Sequence, residues 1–114
     1  MQLLTVILKD ATKVNSILRE LAEEGVSGGT IIDGKGMGEA IADMSDLPMF
    51  GTLRNLFSDE DETTSCKVIM FVMKDEQIVE ARKSIKRIVN LKEPNSGIMF
   101  EIPLTYVSGL SDNE

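Results

Sequence analysis

The sequence predicts an α+β domain in which two strand–helix–strand units share one four-stranded antiparallel sheet, with both helices on the same face. Three observations predict it. Two strongly apolar segments, Gln2 to Lys9 and Lys67 to Met73, read as buried strands. Each is followed at once by a stretch whose apolar residues recur at helical spacing. Each of those stretches leads to a further strand, so the order is strand, helix, strand, long excursion, strand, helix, strand. This is a two-fold βαβ repeat, the ferredoxin-like arrangement βαββαβ, and 114 residues suit one such domain.

The first strand carries Leu3, Leu4, Val6, Ile7 and Leu8, apolar on both faces and broken only by Thr5. Asp10 is placed to cap the first helix. In that helix Val14, Ile17, Leu18 and Leu21 form one stripe, and Gly25 stands where a C-terminal glycine belongs. The second strand is marked by Thr30, Ile31 and Ile32, whose branched side chains favour extended backbone. It runs into Gly34, Gly36 and Gly38, glycines two apart, which suggest a turn with positive φ and a close approach of ligand to main chain. No helix is expected directly after them.

Residues 39–64 then read as one long excursion, a length that is usually functional or disordered in a compact domain. Its apolar residues Ile41, Met44, Leu47, Phe50, Leu53, Leu56 and Phe57 fall three or four apart, interrupted by Pro48 and Gly51, so short helical pieces are expected. The run Asp59 to Glu62 reads as a solvated acidic face. The apolar residues fit a loop that folds back on its own sheet as well as one that docks on a partner.

The third strand is Lys67 to Met73, apolar from Val68 onward, with Asp75 as the expected N-cap of the second helix. Ile78, Ala81, Ile85, Ile88 and Val89 line one side of that helix, and Lys83, Lys86 and Arg87 occupy its later turns, where cations suit the dipole. Leu91 to Gly97 reads as a loop. The last strand is expected over Ile98 to Val107, with Pro103 pointing to an edge position. A single domain over 1–110 and a polar tail at 111–114 complete the chain.

Composition excludes several functions. A net charge of −7, from 12 basic and 19 acidic residues, disfavours a nucleic-acid partner and an anionic membrane surface. No apolar run is long enough to insert in a bilayer, and Met1 to Lys9 lacks the features of a signal peptide. A lone Cys66 forbids an intrachain disulfide and suits a reducing cytoplasm. With no His, a zinc or copper site is not expected, nor is a catalytic constellation, so the chain does not read as an enzyme.

Two helices cover only one face of a four-stranded sheet. The first and third strands are nevertheless apolar on both faces, so the second face is expected to meet further copies of the chain in a homo-oligomer. The alternative is that the long excursion covers it.

The segment Thr30-Ile31-Ile32-Asp33-Gly34-Lys35-Gly36-Met37-Gly38 resembles the pattern Thr-Val-Thr-Glu-Val-Lys-Gly-Phe-Gly found at the end of the second strand in the PII superfamily of trimeric signalling proteins. Element order and spacing agree from Leu3 to Leu110. The combination GMG, LPMFGTLR and EPNSGIMFEIP is similar to a divergent PII-like branch. The resemblance implies a cytoplasmic homotrimer in nitrogen regulation, assembled through the open sheet face. It implies an adenine nucleotide (ATP, ADP or AMP) between subunits, with Thr30 near the base, Lys35, Gly36, Met37 and Gly38 lining the cleft and Lys92 near the phosphates. The long excursion would be the T-loop, with Phe50, Arg54 and Phe57 facing a target protein such as a membrane transporter or an enzyme. A CutA-like trimer binding metal or a small molecule is the second reading. The chain departs from the PII pattern at Glu39-Ala40, where the family has the Gln that supports magnesium and 2-oxoglutarate. It departs again near Tyr106 and Ser108, where the family has phosphate-gripping Arg residues, and at Glu93-Pro94 in the loop before the last strand. The modified Tyr of the family's T-loop has no counterpart.

Overall fold

A computed structural model describes residues 1–42 and 66–110. The elements are β1 (Gln2–Leu8), α1 (Thr12–Glu23), β2 (Gly29–Gly34), α2 (Met37–Ala42), β3 (Cys66–Met73), α3 (Asp75–Ile88) and β4 (Gly97–Pro103). The expected helical pieces and acidic run beyond Ala42, and the tail at 111–114, lie outside the described residues.

The four strands form one sheet in the order β2-β3-β1-β4, every neighbouring pair antiparallel. β1 and β2 belong to one strand–helix–strand unit, yet β3 lies between them. β3 and β4 belong to the other, with β1 between them. The ferredoxin-like expectation is met, with α1 and α3 packed on one face. Register fixes which residues share that face. Val6 stands opposite Ile69 and Met99, and Leu4 opposite Phe71 and Glu101. Leu4, Val6, Leu8, Ile69, Phe71 and Met73 meet Val14, Ile17 and Leu21 of α1 and Ile78, Ala81 and Ile85 of α3 in one core. These are the stripes that the sequence periodicity predicts.

The helix ends follow from local chemistry. Asp10 accepts a hydrogen bond from the Thr12 N–H at 3.0 Å, one residue ahead of the cap position, which Ala11 fills. At the other end of α1, Gly25 has φ 89°, its N–H reaches the Ala22 carbonyl at 3.0 Å, and the Val26 N–H reaches the Leu21 carbonyl at 3.0 Å. This is a Schellman ending, which needs the left-handed residue that glycine supplies. The expected cap at Asp75 is shifted: Lys74 is the extended cap residue, its N–H held by the Gln77 side chain at 3.0 Å, and Asp75 is the first helical residue. There its carboxylate accepts from Gln2 Nε2 at 3.2 Å.

Three further expectations are corrected. β4 stops at Pro103, not Val107: Pro103 lies opposite Gln2, the first residue of its partner β1, and beyond it only the Leu104 N–H still reaches the Met1 carbonyl, at 3.0 Å. The edge position of β4 is as expected. A helix does follow the glycine turn directly: α2 begins at Met37, and the Ala40 N–H bonds to the Gly36 carbonyl at 2.9 Å. The first residues of the excursion, where short helical pieces are expected, are therefore helical, and the helix starts within the glycine turn itself. Finally, Gly34, Gly36 and Gly38 do not use positive φ; among described glycines, Gly25, Gly97 and Gly109 do.

The face away from α1 and α3 carries Leu3, Ile7, Val68, Met70, Val72 and the alternate residues of β4. Ile98, Phe100 and Ile102 are 60%, 42% and 47% exposed there, and Ile32 of β2 is 44% exposed. The edge strands of this apolar face are thus open in the single chain, while its central residues on β1 and β3 are half-buried or, as at Thr5, buried.

Candidate functional site

The residues singled out by sequence fall in two places. Thr30 is exposed on β2, opposite Met70, and so belongs to the open face. Lys35 is exposed in the turn that follows β2. Gly36 is half-buried, Met37 is 73% exposed, and Gly38 is buried in the first turn of α2. Lys92 is exposed in the loop between α3 and β4. That loop is set by its own hydrogen bonds: the Lys92 N–H donates to Asn90 Oδ1 at 3.2 Å, Asn90 Nδ2 to Glu93 Oε1 at 3.3 Å, and the Ser96 hydroxyl to the Glu93 carbonyl at 2.9 Å. Asn95 completes the turn in the left-handed region, φ 62°, which asparagine tolerates better than most residues.

The register locates the two places relative to each other. Gly34 pairs with Cys66 where β2 ends, Leu8 pairs with Lys67 where β1 ends, and Gly97 pairs with Leu8 where β4 begins. The glycine turn and the Lys92 loop therefore lie at the same end of the sheet. They lie on opposite edges, however, because β2 and β4 are the outer strands. Three inter-strand spacings separate them, about 14 Å. Within one chain, Lys35 to Gly38 and Lys92 do not converge on one ligand.

The whole chain, residues 1–114, matches the family model described as Nitrogen regulatory protein P-II. The chain belongs to that family. P-II proteins are regulatory rather than catalytic, and are generally trimers that act through partner proteins. No curated protein gives a significant match to the chain.

On this P-II fold Gly34 and Gly36 of the glycine turn differ in how closely the rest of the chain approaches them. A Cβ on Gly34 would sit 2.8 Å from Cys66 Sγ, whereas a Cβ on Gly36 would meet nothing within 4 Å. Phe50, Arg54 and Phe57 lie outside the described residues. Among the described residues no group of three or more His, Cys, Asp or Glu could hold a metal, and no helix is long and apolar enough to cross a membrane.

The structure adds polar features that sequence reasoning missed. Lys67 pairs with Asp33 across β2 and β3, beside the glycine turn. Both residues face the helices' side of the sheet, at its open end, and a period-two reading of each strand would have paired them only with the register in hand. Arg82 of α3 grips Glu101 of β4 with two hydrogen bonds, Nε to Oε2 at 2.9 Å and Nη2 to Oε1. That hydrogen bonding holds the Glu101 carboxyl below its ordinary range and raises Arg82 further. The fork ties the edge strand, with the loop that precedes it, to the helix layer.

Proposed function

We propose that the chain is a cytoplasmic regulatory module of nitrogen metabolism that senses an adenine nucleotide between the subunits of a homotrimer. ATP, ADP and AMP are the candidate ligands. Ligand binding would change the ordering of residues 39–64, and Phe50, Arg54 and Phe57 would meet a target protein, such as a membrane transporter or an enzyme. A ligand acts in this way only through different affinities for the two states of the loop.

One observation carries the reading. The open apolar face is flanked, at one end of the sheet, by the glycine turn on one edge and the Lys92 loop on the other. Copies packed through that face can bring the turn of one beside the loop of the next, which a single chain cannot do. Thr30 on the same face would then reach the base, backbone amides from Gly36 to Gly38 and the ammonium groups of Lys35 and Lys92 would meet the anion. Main-chain amides and a point charge are chemically suited to phosphate.

The experiment joins assembly to binding. Sedimentation of the full chain should give a species of three chains. Phe100→Asp should convert it to folded monomers, since Phe100 is already 42% exposed in the single chain. Calorimetry with ATP, ADP and AMP should show binding to the trimer and none to the Phe100→Asp monomer. Lys92→Ala should weaken binding by about 1.5–3 kcal/mol, the size of a hydrogen bond to a charged group, and leave the trimer intact. A monomeric parent, or nucleotide binding that is indifferent to both substitutions, would defeat the proposal.

A further inference from the structure

On the helix side of the same sheet end lies a groove of about 690 Å³ between the start of α1, the end of α3 and the loop that leads to β4. Lys9, Lys13, Lys86 and Arg87 line it, with Asp10 and Glu93. Four of the 12 basic residues thus gather on one concavity, against two of the 19 acidic ones. The local charge has the opposite sign to that of the chain, which is −7 overall.

The fold causes this gathering. β1 delivers Lys9 where it ends, α1 carries Lys13 in its first turn, and α3 brings Lys86 and Arg87 in its last turn. Pairing of Leu8 with Gly97 holds β1 and the α3–β4 loop side by side. The neighbours have other engagements. Asp10 accepts from Thr12, which lowers its carboxyl pKa, and Glu93 accepts from Asn90. Arg87 donates to Ser84 Oγ at 3.0 Å and lies 3.4 Å from Glu20. The dipole of α3 accounts for cations at its end, but not for the two lysines that face them from the other side of the groove. Bringing like charges together on a concave surface raises its potential and its affinity for counter-ions, and a concavity with convergent polar groups is the default place to look for a ligand.

We infer that this groove is a binding site for a small multivalent phosphate anion, distinct from the inter-subunit nucleotide site proposed above although both border the loop between α3 and β4. Lys92 does not line it, so the two sites are separable by mutation. Inorganic pyrophosphate is the probe, titrated calorimetrically into the full chain at constant ionic strength. The parent should bind it. The double variant Lys13→Ala/Lys86→Ala should bind at least tenfold more weakly, Glu93→Gln more tightly than the parent, and Lys92→Ala as the parent does. Thermal unfolding without ligand checks that each variant is folded. Should the double variant prove unfolded, Glu93→Gln and the exposed single variant Lys86→Ala carry the test. Absence of binding, equal binding by the Lys13 and Lys86 variants, or loss confined to Lys92→Ala would each overturn the site; the last would move pyrophosphate to the nucleotide cleft.

Discussion

Gly97 shows what a single missing side chain allows. A Cβ there would lie 2.5 Å from the carbonyl oxygen of Ile7, an atom fixed in the β1–β4 ladder. Gly97→Ala should therefore cost about 1–3 kcal/mol, as overpacking does, whereas Gly36→Ala, with open space around its Cβ, should cost far less. Chemical denaturation of the two variants compares them directly. The glycine spacing in the sequence points to Gly34, Gly36 and Gly38 together as positive-φ positions, which none of them is. Spacing could not reveal that the tight contacts are made by residues distant in the chain, Cys66 on Gly34 and Ile7 on Gly97. The Arg82–Glu101 fork gives a prediction in pH. Glu101 has its pKa lowered in the folded state, chiefly by the Arg82 hydrogen bonds. Its contribution is complete above the ordinary carboxylate range and is lost as pH falls through the lowered folded value. Glu101→Gln should flatten the acid limb of a stability profile below about pH 4.5. The change should be small because both side chains are partly exposed; an unchanged acid limb would show that the fork contributes nothing.

Between the two long helices lies a polar joint that hydrophobic stripes conceal. Ser84 is fully buried on α3, and its hydroxyl bonds to the Glu24 carboxylate at the end of α1. The other oxygen of that carboxylate, Oε1, is buried with no hydrogen-bond partner among the described residues. Ser84→Ala should strip the carboxylate of the Ser84 hydroxyl donor and cost about 1–3 kcal/mol, read from the shift in the urea midpoint at constant slope. Elements were legible in proportion to how local their cause is. Both amphipathic helices, the Gly25 ending and the two doubly apolar strands follow from periodicity and turn chemistry within a few residues. The Ser84–Glu24 joint links residues 60 apart in the chain, and α2 is only six residues long, too short for a periodic stripe. The candidate site was legible as two loops, and its division between opposite sheet edges needed the strand order.

At the scale of the molecule, the interleaved strand order has a consequence for how the chain comes together. A cut between Ala42 and Cys66 would leave β1 and β2 on one piece and β3 and β4 on the other. Neither piece would contain a single neighbouring pair: β1 pairs with β3 and β4, and β2 pairs with β3. Each half therefore lacks any ladder of its own, and strands without partners do not persist in water. Residues 1–42 and 66–110, made as separate peptides, should each be unstructured by circular dichroism. Mixed, they should regain the sheet with second-order kinetics and a concentration-dependent midpoint. A protease nick in the intervening segment should leave the native protein intact, yet convert its refolding from a unimolecular event to an encounter between two molecules.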